Sequence, residues 1–285
     1  MILSKPNHIK IYGHRGARGD LPENTLESFK YLFDNAINAY ETDILITKDL
    51  IPVITHDFRL DPSLTKDEEG NWITDENIKI FDLTYEAISK FDVGSLNKLT
   101  RYGRRFVNQR SLENQKIPKL SELLDLSLKN ISENLLINLE IKSTPDEENL
   151  TPDPEDTVRL VVKEINKSNL KDKIIISSFD WRTLTEIKNT IYNRSPWISY
   201  LPFFENHELP KIIKSQGGEA WHPYHKDITK KLVEISHQED LPVNVWTVNK
   251  EYDMLKMVEY GVDGIMTDYP LRLKEVCEKE NINWF

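Results

Sequence analysis

Two histidines and three carboxylates stand at the ends of short apolar runs in this chain. His14 and Arg15 close the run Ile9 to Tyr12. Glu41 and Asp43 are spaced two apart in Glu41-Thr42-Asp43, and His56-Asp57 follows Pro52-Val53-Ile54-Thr55. Glu140 and Lys142 alternate in Leu139-Glu140-Ile141-Lys142. Side chains of a strand alternate between faces, so Glu41 and Asp43 point one way, as do Glu140 and Lys142. Charges in an apolar sheet are costly unless they pair or bind something. A polar active site is the reading that meets this cost.

Glu41, Asp43 and Glu140 offer hard oxygen donors, which suit Mg²⁺ or Ca²⁺ better than a zinc site. The competing reading is an ion-pair network with Arg15 and Lys142. Placement of the three acids at the C-terminal ends of neighbouring barrel strands favours the metal, because barrel active sites form there. His14 and His56 titrate near neutrality and suit a general acid and a general base. Arg15 can fork onto two phosphate oxygens and Lys142 can act as a point charge; a salt bridge from Arg15 to Glu41, Asp43 or Glu23 is the plainer role. Trp246 reads as core or as a ligand wall, and Asp268 as a cap for the helix that follows. His8, His207, His222, His225 and His237 read as structural, with His222 and His225 near a strand end.

The elements that position these groups alternate in kind. Strands are expected at 9–13, 39–46, 51–55, 135–141, 173–177, 197–201, 219–222, 242–247 and 263–267. Amphipathic helices are expected near 24–37, 120–132, 154–168, 181–192, 207–216, 227–238, 251–260 and 270–280. Asn24-Thr25-Leu26-Glu27 reads as a helix start and Gly261 as a helix stop. Such βα alternation implies a parallel sheet with crossover helices. About eight units in about 250 residues point to an α/β fold of the closed (β/α)₈ TIM-barrel type. The whole chain, 1–285, reads as a single domain with an insertion at about 57–118, after the second strand. That insertion is polar, lacks a strand period, and is expected to be partly structured above the barrel mouth.

Composition narrows the function. The chain has 37 basic and 47 acidic residues and a net charge of −10, so broad binding to nucleic acid or to an anionic membrane is not expected. An anionic ligand would need local positive charge from Arg15, Lys142 or a bound cation. Cys277 is the only cysteine, which fits a reducing compartment. No signal-peptide core or membrane-length apolar stretch is apparent, and a cytoplasmic setting is expected.

The ordered set of motifs closely resembles the glycerophosphodiester phosphodiesterase family. It runs from His14-Arg15-Gly16 with Pro22-Glu23-Asn24-Thr25 through Glu41-Thr42-Asp43, Thr47-Lys48-Asp49, Pro52-Val53 and His56-Asp57. It continues through Ile117-Pro118, Glu140-Ile141-Lys142, Ser177-Ser178-Phe179, Trp246-Thr247-Val248-Asn249 and the stretch Asp263 to Pro270. The resemblance implies a (β/α)₈ barrel and metal-dependent hydrolysis of glycerophosphodiesters, such as glycerophosphocholine or glycerophosphoethanolamine, to glycerol 3-phosphate and an alcohol. By position it makes His14 and His56 the acid/base pair, with Arg15 holding phosphate. It makes Glu41, Asp43 and Glu140 the ligands of Mg²⁺ or Ca²⁺, Lys142 a phosphate contact, and Phe179 and Trp246 apolar groups near the substrate. The expected reaction passes through a cyclic glycerol phosphate. The insertion departs from the family pattern at Asp61 to Lys66 and Arg101 to Phe106, so head-group preference does not carry over. Rival functions are a phospholipase D-like lysophospholipid phosphodiesterase, a non-catalytic barrel that binds phosphate ligands, and, on fold analogy alone, a sugar-phosphate isomerase.

Overall fold

The structure is a computed structural model that describes residues 8–147, 149–188 and 208–285. Strand β1 (His8–His14) leads into helix α1 (Leu26–Asp34), followed by β2 (Ala39–Ile46) and β3 (Pro52–Ile54). The insertion adds α2 (Tyr85–Ile88) and short 3-10 turns at Ile80–Asp82 and Gly103–Phe106. Then come α3 (Leu120–Lys129), β4 (Leu136–Ile141), α4 (Pro154–Lys167), β5 (Ile174–Ser177) and α5 (Trp181–Lys188). After the undescribed stretch follow α6 (Leu209–Ser215), α7 (Lys230–Gln238), β6 (Asn244–Val245), α8 (Glu251–Tyr260), β7 (Gly264–Thr267), α9 (Pro270–Lys279) and β8 (Asn283–Trp284).

Helix boundaries follow local chemistry. Thr25 caps α1, its hydroxyl accepting from the Ser28 amide. The cap therefore falls on Thr25, and Asn24 is released for the site. Thr84 caps α2 in the same way, and Asp153 caps α4 ahead of Pro154 at its first position. Gly261 ends α8 in the left-handed conformation, φ 81°.

Among the described residues the expected closed barrel does not form. The strands make one sheet in the order β5-β4-β2-β1-β7-β6, with β3 and β8 attached to β2 and β1. This sheet curls through 223° and its edges stay 11 Å apart, so it is an open half-barrel. The opening lies between β5 and β6, the two ends of this order. The strand expected at 51–55 is β3, which pairs antiparallel with β2 as the return arm of a hairpin. The run at 219–222 contributes single bridges, Trp221 to Val243 with Tyr224 to Trp246 just beyond it. The expected strand at 197–201 lies outside the described residues.

Three cores hold the molecule together. The largest lies between the convex face of the sheet and the helices, with Ile11, Phe29, Leu32, Ile137, Ile176 and Ile265 among its members. A second, built from Leu45, Val53, Leu60, Ile73, Ile80, Ile88 and Ile117, gives the insertion its own packing against β2 and β3. The third is small and lies on the concave face: Tyr12, Ala39, Leu136, Ile175 and Met266, with Trp246 against it. It forms a plug beneath the polar groups above. Register stacks those groups in one layer, with His14 opposite Glu41, Glu41 opposite Asn138, and Asp43 opposite Glu140.

One ion pair on the outer layer carries a pH signature. His237 on α7 donates from Nε2 to Asp263 Oδ2 at 2.8 Å, and that oxygen also accepts from the Val243 amide. The hydrogen bond to Asp263 raises the His237 pKa above its ordinary value. A raised folded-state pKa stabilises fully below the unfolded value, near 6.5, and this contribution is lost as pH rises through the folded value. The His237 side chain is 42% exposed, so the effect stays below about 1 kcal/mol. In thermal melts, His237→Gln should lose more against the parent at pH 5.5 than at pH 8.5.

Candidate active site

The site begins with a turn. Arg15 (φ 52°) and Gly16 (φ 81°) leave β1 in the left-handed region, and a Cβ on Gly16 would collide with the Ser28 side chain. The Arg15 amide donates to the Glu41 carbonyl at 3.0 Å and to Glu41 Oε2 at 3.2 Å. The turn is thereby sewn to β2 beside the carboxylate.

Glu41, Asp43 and Glu140 are all buried, and each offers an oxygen within 4.8 Å of the others. Their surroundings differ. Burial alone would raise the Asp43 carboxyl, but His56, Arg15 and Lys142, with a hydrogen bond from Asn24, hold it well below the ordinary range. Its Oδ2 accepts from Asn24 Nδ2 at 3.1 Å and lies 3.3 Å from Arg15 Nε. Glu140 Oε1 accepts from Lys142 Nζ at 2.8 Å. Glu41 is pushed well above its ordinary value by burial, Asp43 and Glu140. Its Oε1 is buried with no hydrogen-bond partner among the described residues. Three converging acids with one orphaned oxygen fit a hard divalent cation, so the cluster can hold one.

Both histidines carry a carboxylate behind them. His14 Nδ1–H donates to Asp268 Oδ1 at 2.7 Å, and Nε2 faces Glu41 Oε2 at 3.6 Å. Burial, reinforced by the positive charge of Arg18, lowers the His14 pKa to about 4 against the opposing pull of Asp268. His56 Nδ1–H donates to Asp57 Oδ1 at 2.7 Å. In each ring the bonded Nδ1 leaves Nε2 free of that carboxylate.

Asp268 is a hub and not the helix cap expected; Tyr269 holds the cap position of α9. Arg18 grips Asp268 with Nε at 2.7 Å and Nη2 at 3.0 Å. Asn249 Nδ2 donates to Asp268 Oδ2 at 2.6 Å, and its Oδ1 accepts the Asp268 amide at 2.9 Å. Burial would raise this carboxyl, yet Arg18 and His14 hold it well below the ordinary carboxylate range. Arg15 likewise serves a bridge, donating to Glu23 Oε1 at 2.8 Å. The insertion closes the arrangement: the Tyr102 hydroxyl donates to Glu23 Oε2, and Gln109 Nε2 donates to the Arg18 carbonyl at 2.7 Å.

A cavity of about 530 Å³ opens over this layer. His14, Arg15, Glu41, His56 and Glu140 line its depth, and Phe179 and Trp246 stand along its side with Tyr224. The Phe179 and Trp246 rings meet edge to face at 5.7 Å, and Tyr224 lies 5.3 Å from Trp246. Trp246 therefore both walls the cavity and covers the small inner core. Lys142 Nζ sits over the Phe179 ring at 5.8 Å. The expected residues are thus brought to one place. His225 also lines the cavity, whereas His222 is buried and bonded to Asn244. His207 lies outside the described residues. Sequence reasoning missed Arg18, Asn249, Tyr102 and the true role of Asp268. The pairing of a buried acid at 268 with the His14 and Arg18 segment is a contact 250 or more positions long, which no local pattern marks.

A glycerophosphodiester phosphodiesterase of Caldanaerobacter subterraneus subsp. tengcongensis is 30% identical over 271 residues, covering 94% of this chain and 98% of the relative. A solved glycerophosphoryl diester phosphodiesterase homologue from Silicibacter pomeroyi is 34% identical with a TM-score of 0.93, covering 100% of this chain and 98% of its own. An Oleispira antarctica phosphodiesterase, solved with its product sn-glycerol-3-phosphate, shares the fold at a TM-score of 0.73 and 22% identity, over 94% of this chain and 96% of its own. The profile of the glycerophosphoryl diester phosphodiesterase family matches residues 14–272; this chain belongs to that family and is a phosphodiesterase.

Proposed function

We propose that the protein hydrolyses glycerophosphodiesters to glycerol 3-phosphate and an alcohol, using a divalent cation, Mg²⁺ or Ca²⁺, together with two histidines. The observation that carries this reading is the convergence of three carboxylates with two carboxylate-backed histidines on one cavity. When bound at Glu41, Asp43 and Glu140, the cation supplies Lewis-acid stabilisation of charge at the phosphate and lowers the pKa of a bound hydroxyl. Asp268 and Asp57 fix which nitrogen of each ring carries a proton, so His14 and His56 each present Nε2 for proton transfer. One takes the proton of the attacking glycerol hydroxyl and the other gives a proton to the departing alcohol oxygen; water then opens the resulting cyclic glycerol phosphate to glycerol 3-phosphate with the histidine roles exchanged. Arg15, held by Glu23 and Asp43, presents its guanidinium to the phosphate without having to be ordered on binding. Lys142 is held beside Glu140 and Asp43 as a fixed positive charge.

The test is release of glycerol 3-phosphate from glycerophosphoethanolamine and glycerophosphocholine, with and without chelator and with added Mg²⁺ or Ca²⁺. Turnover that stops with chelator and returns with cation is the expected result. His14→Ala and His56→Ala should each lower kcat by about 10²–10⁴. Undiminished turnover in either variant contradicts the acid/base assignment, and lysophosphatidylcholine as the better substrate would favour a lysophospholipid phosphodiesterase.

A further inference from the structure

The cations of the cavity fall into two sets. In its depth, Arg15 is paired with Glu23 and Asp43, and Arg18 with Asp268; Lys142, beneath the aromatic wall, is paired with Glu140. At the outer end, Arg105, Lys226 and Lys250 line the cavity beyond the aromatic wall, and all three are exposed. No ion pair joins them to an acid among the described residues; Asp253 is the single acid that lines the same end. Arg105 is nonetheless held in place, its guanidinium 5.5 Å from the rings of both Tyr102 and Phe106. The chain as a whole carries −10, so this end of the cavity opposes the molecule's overall sign.

The phosphate of a glycerophosphodiester meets its countercharge in the depth, beside the acid cluster and Arg15. Arg105, Lys226 and Lys250, which outnumber Asp253 at the outer end and have no ion pair among the described residues, face the alcohol instead. A choline or ethanolamine group placed there meets like charge, and a carboxylate or phosphate on the alcohol meets opposite charge. At about 4 Å such a pair interacts weakly in water and more strongly near a protein surface. Part of the aromatic wall is already taken, since Phe179, Trp246 and Tyr224 pack against one another and Lys142 lies over Phe179.

We propose that the preferred substrates are glycerophosphodiesters whose alcohol carries an acidic group, a carboxylate or a phosphate monoester, selected by Arg105, Lys226 and Lys250. This rests on the phosphodiesterase reading above and deepens it. Glycerophosphoserine and glycerophosphoethanolamine differ by one carboxylate and serve as the probes. With the full chain and added divalent cation, kcat/KM for the serine diester should exceed that for the ethanolamine diester by about tenfold, the equivalent of about 1.4 kcal/mol. A triple variant, Arg105→Ala with Lys226→Ala and Lys250→Ala, should bring the ratio to within about twofold of one, whereas Lys226→Arg with Lys250→Arg should keep it. Equal turnover of the two diesters by the parent protein overturns the proposal, as does a preference for glycerophosphocholine. A triple variant that slows both diesters by the same factor also overturns it, since the cations would then only attract anions in general. Any of these outcomes leaves the phosphodiesterase reading standing. Failure to release glycerol 3-phosphate from all three diesters overturns both.

Discussion

Glu41→Gln should abolish catalysis while leaving the metal-free protein as stable as its parent or more so. The amide keeps the shape of the carboxylate and can still accept from the Arg15 amide. What it removes is the acid that burial, Asp43 and Glu140 already push toward its neutral form, the one whose Oε1 has no hydrogen-bond partner among the described residues. Like charges repel in a buried setting, so the metal-free melting temperature should hold or rise. The same change removes an oxygen donor for the cation. Loss of Lewis-acid stabilisation worth several kcal/mol predicts at least about a 10³-fold fall in kcat/KM. Melting in chelator and in Mg²⁺ or Ca²⁺ separates the two effects. At about a hundredfold excess over its Kd, the cation should stabilise the parent by roughly 2.7 kcal/mol and the variant far less. A variant that melts lower in chelator yet retains turnover would show that Glu41 serves the fold and not the ion.

Asp268→Ala should do the opposite and damage stability and activity together. This carboxylate is fully buried and accepts from His14, from two nitrogens of Arg18 and from Asn249. Its loss strands the guanidinium of Arg18, a residue 4% exposed, without its bidentate partner. Breaking one side of a buried pair costs about 3–5 kcal/mol, which denaturant titration can read. His14 loses the group that fixes its proton on Nδ1, so kcat should fall in addition. Asp268→Asn distinguishes the two roles: it keeps the volume and one acceptor, and a large fall in kcat with a smaller fall in stability is expected. Equal losses of kcat in the alanine and asparagine variants, in proportion to stability alone, would remove Asp268 from the positioning of His14.

Much of the site was legible because it depends on strand alternation. Glu41 with Asp43, and Glu140 with Lys142, share faces for a reason that two-residue spacing states outright, and register then sets Asp43 opposite Glu140. Helices α3, α4, α8 and α9 begin where periodicity placed them. Strand partnership was less legible. A short apolar run such as Pro52-Val53-Ile54 looks the same whether it is a stave or the antiparallel arm of a hairpin, and only its partner decides. Arg18 and Tyr102 escaped notice because their partners are distant in sequence: Asp268 for the first, Glu23 and Arg18 for the second. The insertion looked polar throughout, yet five dispersed apolar residues, Leu60, Ile73, Ile80, Ile88 and Ile117, pack with Leu45 and Val53 into a core, spaced too irregularly to show a period.

The segment from Tyr102 to Arg110 does more than overhang the pocket. Tyr102 is tied to Glu23, Gln109 to the Arg18 carbonyl, and the Arg110 amide to the Asp20 carbonyl at 3.0 Å. The loop that carries His14, Arg15 and Arg18 is thus buttressed from outside by the very stretch that presents Arg105 to the alcohol. Choice of substrate and readiness of the reactive groups are mechanically joined in this chain. Swapping the overhang for another to broaden the range of diesters would loosen the chemistry too, unless the replacement brought its own struts to Asp20, Glu23 and Arg18.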